Sequence, residues 1–192
     1  MSSTPSLFPE ELLPLEDVEL VLDRGRRVGL HRYRVDFNPC NERPTIALDR
    51  AYSAKPLVLV EKQPAFPEIA LLGLFLKTGW EGAWVDLSHR KFFDRMPNLS
   101  KGISLSTYAN QVIARIAENN DRSREGFWDL VLWRDRAVMF IATVDREAGA
   151  GLSEGHLRWL NAALRAGVSA NQFVVIEWGN RRVAARRTKP AR

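Results

Sequence analysis

The 192-residue chain has little cysteine and no long apolar run. Its single cysteine, Cys40, excludes an internal disulfide and is typical of a reducing compartment. The longest apolar stretch, residues 69–76, is far shorter than the ~20 residues that cross a bilayer. Residues 1–14 have neither a basic start nor an apolar stretch. We therefore expect no membrane span, no secretion signal and a cytoplasmic location.

The chain also lacks the short motifs of several enzyme classes. It has no P-loop, no glycine-rich dinucleotide motif, no Cys/His spacing for zinc and no serine-nucleophile elbow. No repeat of about 20 to 50 residues is present, which argues against solenoids and propellers. The sequence therefore predicts a globular domain without these sites.

Basic residues outnumber acidic ones. The chain contains 28 Lys and Arg against 23 Asp and Glu, for a net charge of +5. Half of the last twelve residues are basic and none is acidic. Clustered positive charge attracts polyanions by releasing their counterions, so we expect contact with nucleic acid. The alternative is a solvated tail that only aids solubility. The basic residues of the tail are Arg181, Arg182, Arg186, Arg187, Lys189 and Arg192.

Short strands are predicted in the N-terminal third. Residues 19–22, 29–37 and 57–60 carry β-branched or alternating apolar residues between Gly, Pro, Asn and Asp clusters. A break near Pro64 separates these strands from the rest of the chain. We interpret residues 1–64 as a β-rich extension packed on a core of residues 65–179, followed by a basic tail, 180–192.

The core pattern predicts alternating helices and strands. Pro67 stands at the first position of a helix that ends before Gly79. Three residues join strands 128–133 and 137–144, which predicts an antiparallel hairpin. The fold class is α/β (α+β), a mixed sheet flanked by helices. The predicted order is helix 67–78, extended segment 82–93, a helix beginning after Ser104 or Ser106 and ending near 119, the hairpin, a helix capped by Ser153, and strand 173–178.

Several core residues and residue pairs stand in a fixed order along the chain. Glu68 lies in the first helix, and Asp129 opens the strand DLVLW. Later come the pairs Leu-Ser at 152–153 and Trp-Leu at 159–160. Over residues 67–178 this order resembles the PD-(D/E)xK nuclease superfamily, in particular its VRR-NUC branch. The resemblance implies a restriction-endonuclease-like fold in which carboxylates hold Mg²⁺ or Mn²⁺ for phosphodiester hydrolysis.

The chain departs from that motif where the chemistry is concentrated. Ala142 and Val144 occupy the positions of the Glu and Lys, which stand two apart because strand side chains alternate. Neither residue can ligate a metal or transfer a proton. Trp128 replaces the Pro, and His156 replaces a Gln. The resemblance therefore implies a nuclease-like protein that binds nucleic acid, needs no cofactor, and is inactive or very weakly active.

Two alternatives remain open. The first is an active Mg- or Mn-dependent nuclease with Glu68 and Asp129 as metal ligands and Asp145 as a relocated catalytic carboxylate; Asp86 and Glu147 are further sources. The second is a protein-interaction module with a protein partner. The candidate nucleic-acid-binding residues are His156, Arg146, Arg181, Arg182, Arg186 and Arg187.

Simpler interpretations exist for several of these residues. Glu68 can complement the positive end of its helix, and His156 can be an exposed residue of a first helical turn. We expect the six tryptophans to pack in the core rather than to stack on bases.

Overall fold

The computed structural model describes residues 7–40, 50–97, 102–149 and 151–181. In this part of the chain, strands form one mixed sheet in the order β5-β4-β3-β10-β9-β8-β6-β7, and β1 and β2 also pair with β3. Three helices flank the sheet. The elements are β1 (Leu13–Pro14), β2 (Val18–Val21), β3 (Arg27–Pro39), β4 (Val58–Val60), β5 (Gln63–Ala65), α1 (Pro67–Lys77), β6 (Glu81–Asp86), β7 (Lys91–Phe93), α2 (Thr107–Glu118), β8 (Leu130–Arg134), β9 (Ala137–Asp145), α3 (Glu154–Arg165) and β10 (Phe173–Asn180).

The helices begin where local chemistry predicts. Pro67 is the first residue of α1. The Ser106 hydroxyl accepts a hydrogen bond from the Ala109 amide at 3.1 Å and caps α2. Ser153 caps α3 in the same way, through the amide of His156. The three predicted helices are therefore confirmed.

The helices divide between the two faces of the sheet. The buried residues of α1 pack on a cluster that includes Leu130 of β8 and Ile141 of β9. The buried residues of α2 and α3 belong to a second cluster, with Val131 of β8 and Phe140 of β9. Because neighbouring residues of a strand point to opposite faces, these clusters lie on opposite sides. We call them the α1 face and the α2–α3 face.

The predicted hairpin is confirmed. Strands β8 and β9 pair antiparallel, with Leu130 opposite Ile141 and Arg134 opposite Ala137. The chain then passes through α3 and returns as β10, which pairs parallel to β9. This parallel return places β10 between β9 and β3.

The N-terminal strands belong to the same sheet as the rest. Strand β3 pairs parallel with β10 from His31 opposite Val174 to Phe37 opposite Asn180. Pro64, near which the sequence predicts a boundary, lies within β5 and pairs with Leu59 of β4. Residues 7–40 therefore supply strands β1, β2 and β3 of the same sheet.

The extended segment predicted over 82–93 is two strands. Strands β6 and β7 pair antiparallel, with Val85 opposite Phe92. Arg90 in the connecting turn has a φ of 54°, a left-handed conformation that residues with a side chain rarely adopt. The turn contains neither Gly nor Pro, so the sequence lacks the usual signal for a reversal.

Two glycines hold the loop before β8 against the start of α3. A Cβ on Gly126 would lie 2.1 Å from the carbonyl oxygen of Gly155, and Gly126 has a φ of +77°. Both constraints require glycine at this position. Within the described ranges, no helix has the length and apolar character needed to cross a membrane.

Candidate functional site

One end of the sheet collects three of the carboxylates considered above, Asp86, Asp129 and Asp145. The Asp129 carbonyl accepts a hydrogen bond from the Val85 amide at 2.8 Å, just before β8 begins. Asp86, the last residue of β6, follows Val85. Thr143 and Asp145 lie near the end of β9, which pairs with β8. The strand register therefore gathers these polar residues at neighbouring strand ends.

Glu68 lies in the first turn of α1 and is 9% exposed. Its Oε1 accepts a hydrogen bond from the Lys55 ammonium at 2.6 Å. Its Oε2 is buried and has no hydrogen-bond partner among the described residues. The Lys55 ammonium also lies 5.5 Å from the ring centre of Phe66 and 5.3 Å from that of Trp84. Glu68 is thus the acidic half of a partly buried ion pair.

Asp129 and Asp145 have other partners. The Oδ2 of Asp129 accepts from the Thr143 amide at 2.7 Å and from the Thr143 hydroxyl at 3.0 Å. The Oδ1 of Asp145 accepts from the amides of Glu147 and Ala148 in the loop that follows β9. Asp129 therefore links the segment just before β8 to β9, and Asp145 stabilises the turn in which it lies.

These carboxylates are not gathered into one metal site in the described part of the chain. The Lys55 ammonium lies against Oε1 of Glu68, so a positively charged group already faces this carboxylate. Over residues 7–40, 50–97, 102–149 and 151–181, no three His, Cys, Asp or Glu side chains group as metal ligands. The structure therefore does not bring Glu68, Asp129 and Asp145 together as a ligand set.

Ala142 and Val144 face away from α1. Ala142 is fully buried in the cluster of the α2–α3 face, and Val144 packs against that cluster. The neighbouring Ile141 points to the α1 face, where the N-terminus of α1 presents Glu68. We therefore correct the interpretation that positions 142 and 144 share a site with Glu68. The side chains of Ala142 and Val144 lie on the α2–α3 face, whereas α1, which carries Glu68, packs on the opposite face.

The predicted nucleic-acid-binding residues have mixed placements. The Arg146 guanidinium forms an ion pair with Asp36 at 2.6 Å and lies against Gly179. The Nδ1 of His156 accepts from the Ser153 amide at 3.4 Å and so completes a capping box. Arg181 is exposed, and its amide donates to the Phe37 carbonyl. Arg182, Arg186 and Arg187 lie outside the described residues.

Asp86 is the centre of a buried polar network. It is 4% exposed and accepts hydrogen bonds from the Tyr52 hydroxyl and from the His89 ring, whose Nδ1 is 2.7 Å away. The His89 amide also donates to Asp86 at 3.3 Å. Burial by itself would raise the pKa of Asp86, but the hydrogen bonds from Tyr52 and His89 outweigh it and lower that pKa. Asp86 is therefore held as a carboxylate.

A basic cleft opens beside this network. Its volume is about 670 Å³, within the size range of small-ligand sites. The turn between β6 and β7 supplies Arg90, Lys91 is the first residue of β7, and the loop between α2 and β8 supplies Arg122 and Arg124. All four residues are exposed, and their side chains have no hydrogen-bond or ion-pair partner in the described part of the chain.

The acidic residues of the cleft have partners elsewhere. Asp86 is bound by Tyr52 and His89. Glu125 lies 3.8 Å from the guanidinium of Arg158 on α3. In the described part of the chain, neither carboxylate therefore forms an ion pair with the four cations of the cleft.

Sequence reasoning missed this cleft for a physical reason. Arg90 and Lys91 lie about thirty positions before Arg122 and Arg124, and each pair has the appearance of solvated surface charge. Only the sheet brings the two loops together. The closest available signal was the pattern Asp-Arg-Ser-Arg at 121–124, two arginines two residues apart in a predicted loop. The expectation that the tryptophans pack in the core is confirmed, since each of the six is at most 7% exposed.

The chain matches no family model, no curated protein and no solved structure.

Proposed function

We propose that this protein binds the phosphate backbone of nucleic acid through the basic cleft and has little or no nuclease activity. The observation that carries the proposal is the set of four cations, Arg90, Lys91, Arg122 and Arg124, that line one cleft and have no ion-pair partner in the described part of the chain. Some surface arginines, such as Arg27 with Glu19, instead form an ion pair with an acidic residue. Arginine suits a phosphate because its planar group donates two parallel hydrogen bonds.

We further propose that the chain is related to the PD-(D/E)xK nucleases. The order from α1 to β10, with an antiparallel hairpin, a crossover helix and a parallel last strand, is consistent with the PD-(D/E)xK resemblance of the sequence. The partners of Glu68, Asp129 and Asp145 support binding rather than cleavage. A lost ligand or supporting contact commonly lowers metal affinity or activity about 10- to 100-fold.

Binding by the cleft has a defined salt dependence. Each phosphate neutralised by a cation releases condensed counterions, so the logarithm of the binding constant falls linearly with the logarithm of salt concentration. Four such contacts predict a slope of roughly −3 to −4. Fluorescence anisotropy with labelled oligonucleotides between about 50 and 200 mM salt measures this slope.

The double variant Arg122→Gln, Arg124→Gln tests the site. We expect weaker binding and a salt slope smaller in magnitude by about two, since each lost contact removes about one unit. The matched control is Arg27→Gln, Lys77→Gln, which removes the same charge from two residues already paired with Glu19 and Glu61. Equal losses in both variants would show that only net charge matters and would overturn the cleft as the site.

The proposed lack of nuclease activity is tested with a cleavage assay. Plasmid, single-stranded and flap DNA are incubated with the protein and Mg²⁺ or Mn²⁺, beside the Asp129→Asn variant. We expect no cleavage, or the same trace cleavage in both samples. Cleavage that disappears in Asp129→Asn while the variant remains folded would instead support the active nuclease.

A further inference from the structure

An aromatic ring lies among the cations of the basic cleft. Phe92 of β7 lines the cleft and is only partly buried. Behind it is Phe127, which is 2% exposed, with the ring centres 6.3 Å apart at an interplanar angle of 67°. Phe92 is thus backed by the core on one side and open to the cleft on the other.

Phe92 is held on a rigid element. It pairs with Val85 across β6 and β7, and its carbonyl accepts from the Ile103 amide at 2.7 Å. Lys91 precedes it in β7, and the other cations come from the adjoining loops, in which Arg90 and Arg122 have φ values of 54° and 58°. Left-handed backbone at residues with side chains is costly and often occurs at binding sites.

We propose that the cleft takes a single strand of nucleic acid, with one base stacked on Phe92 and the flanking phosphates bound by the cations. This inference rests on the proposed function and names its substrate class. A positively charged groove with an aromatic platform is the general means of binding single strands, because every base has a face that can stack.

A duplex uses this arrangement poorly. Its bases already stack on one another, so their faces reach a protein only after unpairing, which is unfavourable. A duplex can therefore contact the cations of the rim but not Phe92. A cleft of about 670 Å³ suits a short part of one strand.

The test compares a single-stranded oligonucleotide with the duplex that contains it, as DNA and as RNA, at one salt concentration. We expect tighter binding of the single strand. Phe92→Leu, which keeps an apolar group against Phe127, should weaken single-strand binding by about fivefold to 100-fold and leave duplex binding unchanged. Phe92→Tyr retains the ring and should bind like the wild type. The matched control is Phe8→Leu, because Phe8 stacks on Tyr33 away from the cleft.

A cross-linking experiment supports the same test without a substitution. A bromouracil-containing single strand, irradiated on the wild-type protein, should attach at Phe92 or an adjacent cleft residue. Equal affinity for both forms, with no effect of Phe92→Leu and attachment elsewhere, overturns the single-strand inference. If Arg122→Gln, Arg124→Gln still weakens binding in that case, the proposed function stands. If the wild-type protein binds neither the single strand nor the duplex, both the single-strand inference and the proposed function are overturned.

Discussion

At the residue scale, alternation along β9 decides what each side chain can do. Ala142 is fully buried against the α2–α3 face, whereas Ile141 points to the α1 face. A motif in the sequence gives the spacing of two positions but not the face to which they point. The direction depends on which helix packs on which side, and residues distant in sequence set that arrangement.

Restoring the motif residues should therefore unfold the protein rather than activate it. Ala142→Glu places a carboxylate in an apolar core, where a charge without a partner costs several kcal/mol. We expect a loss of several kcal/mol in the free energy of unfolding, measured with urea. The control is Thr143→Ser, which keeps the hydroxyl that donates to Asp129. A stable Ala142→Glu, Val144→Lys variant that cleaves DNA with Mg²⁺ would contradict this expectation.

The Asp86 network predicts a dependence of stability on pH. The pKa of Asp86 is lower in the folded protein than in the unfolded chain. Its carboxylate therefore stabilises the fold above the unfolded pKa, and this contribution disappears as the pH falls through the folded pKa.

Tyr52→Phe tests that network. The variant loses a hydrogen bond to a charged group, which is worth about 1.5–3 kcal/mol, so it should be less stable at neutral pH. The pKa of Asp86 should rise, and acid unfolding should begin at a higher pH than in the wild type. Circular dichroism across acidic pH measures the midpoint. Asp86→Asn is the control, since it removes the titrating group; an unchanged midpoint in Tyr52→Phe would exclude the role given to the hydroxyl.

At the element scale, local patterns predict most of the fold. The helices follow from caps and apolar stripes, and the β8–β9 hairpin follows from two apolar runs joined by a short turn. The division of 82–93 into two strands could not be predicted, because Arg90 takes the left-handed conformation usually left to glycine. The pairing of β3 with β10 could not be predicted either, since no local pattern marks a partner so distant along the chain.

The start of α3 provides a prediction about His156. Its Nδ1 lies 3.4 Å from the Ser153 amide, a long hydrogen bond, whereas the Ser153 hydroxyl accepts from the His156 amide at 3.2 Å. Ser153→Ala should lower the free energy of unfolding by about 1 kcal/mol. His156→Ala should lower it by less. His156→Gln should melt like the wild type, because glutamine also completes a capping box.

Nucleic-acid binding separates the two roles of His156. If the residue is only a cap, His156→Gln keeps the affinity of the wild type for an oligonucleotide. A fall in affinity with an unchanged melting temperature would make His156 a contact residue as well as a cap.

At the scale of the whole molecule, the N-terminal strands and the strands that follow residue 65 share one sheet. Strand β3 contributes Val35 and Phe37 to the cluster of the α1 face and Leu30 to that of the α2–α3 face. Removing it would expose both clusters and leave the edge of β10 unpaired. We therefore expect residues 7–40 to fold together with the rest of the sheet.

This arrangement predicts that a fragment beginning at residue 65 does not fold. Exposed apolar clusters and an open strand edge favour aggregation. We expect the fragment to lack a cooperative thermal transition by circular dichroism, whereas the full chain unfolds in one step. A soluble fragment with a sharp transition and dispersed NMR signals would show that the boundary near Pro64 separates two domains.

The parallel pairing of β3 with β10 also affects how the molecule is made. On the ribosome, His31 emerges long before Val174, its partner in the ladder. Until β10 is synthesised, one side of β3 lacks its neighbour and remains available to other nascent chains. Contacts between such distant positions close slowly. At high expression, the protein should therefore aggregate more than the stability of its folded state would predict.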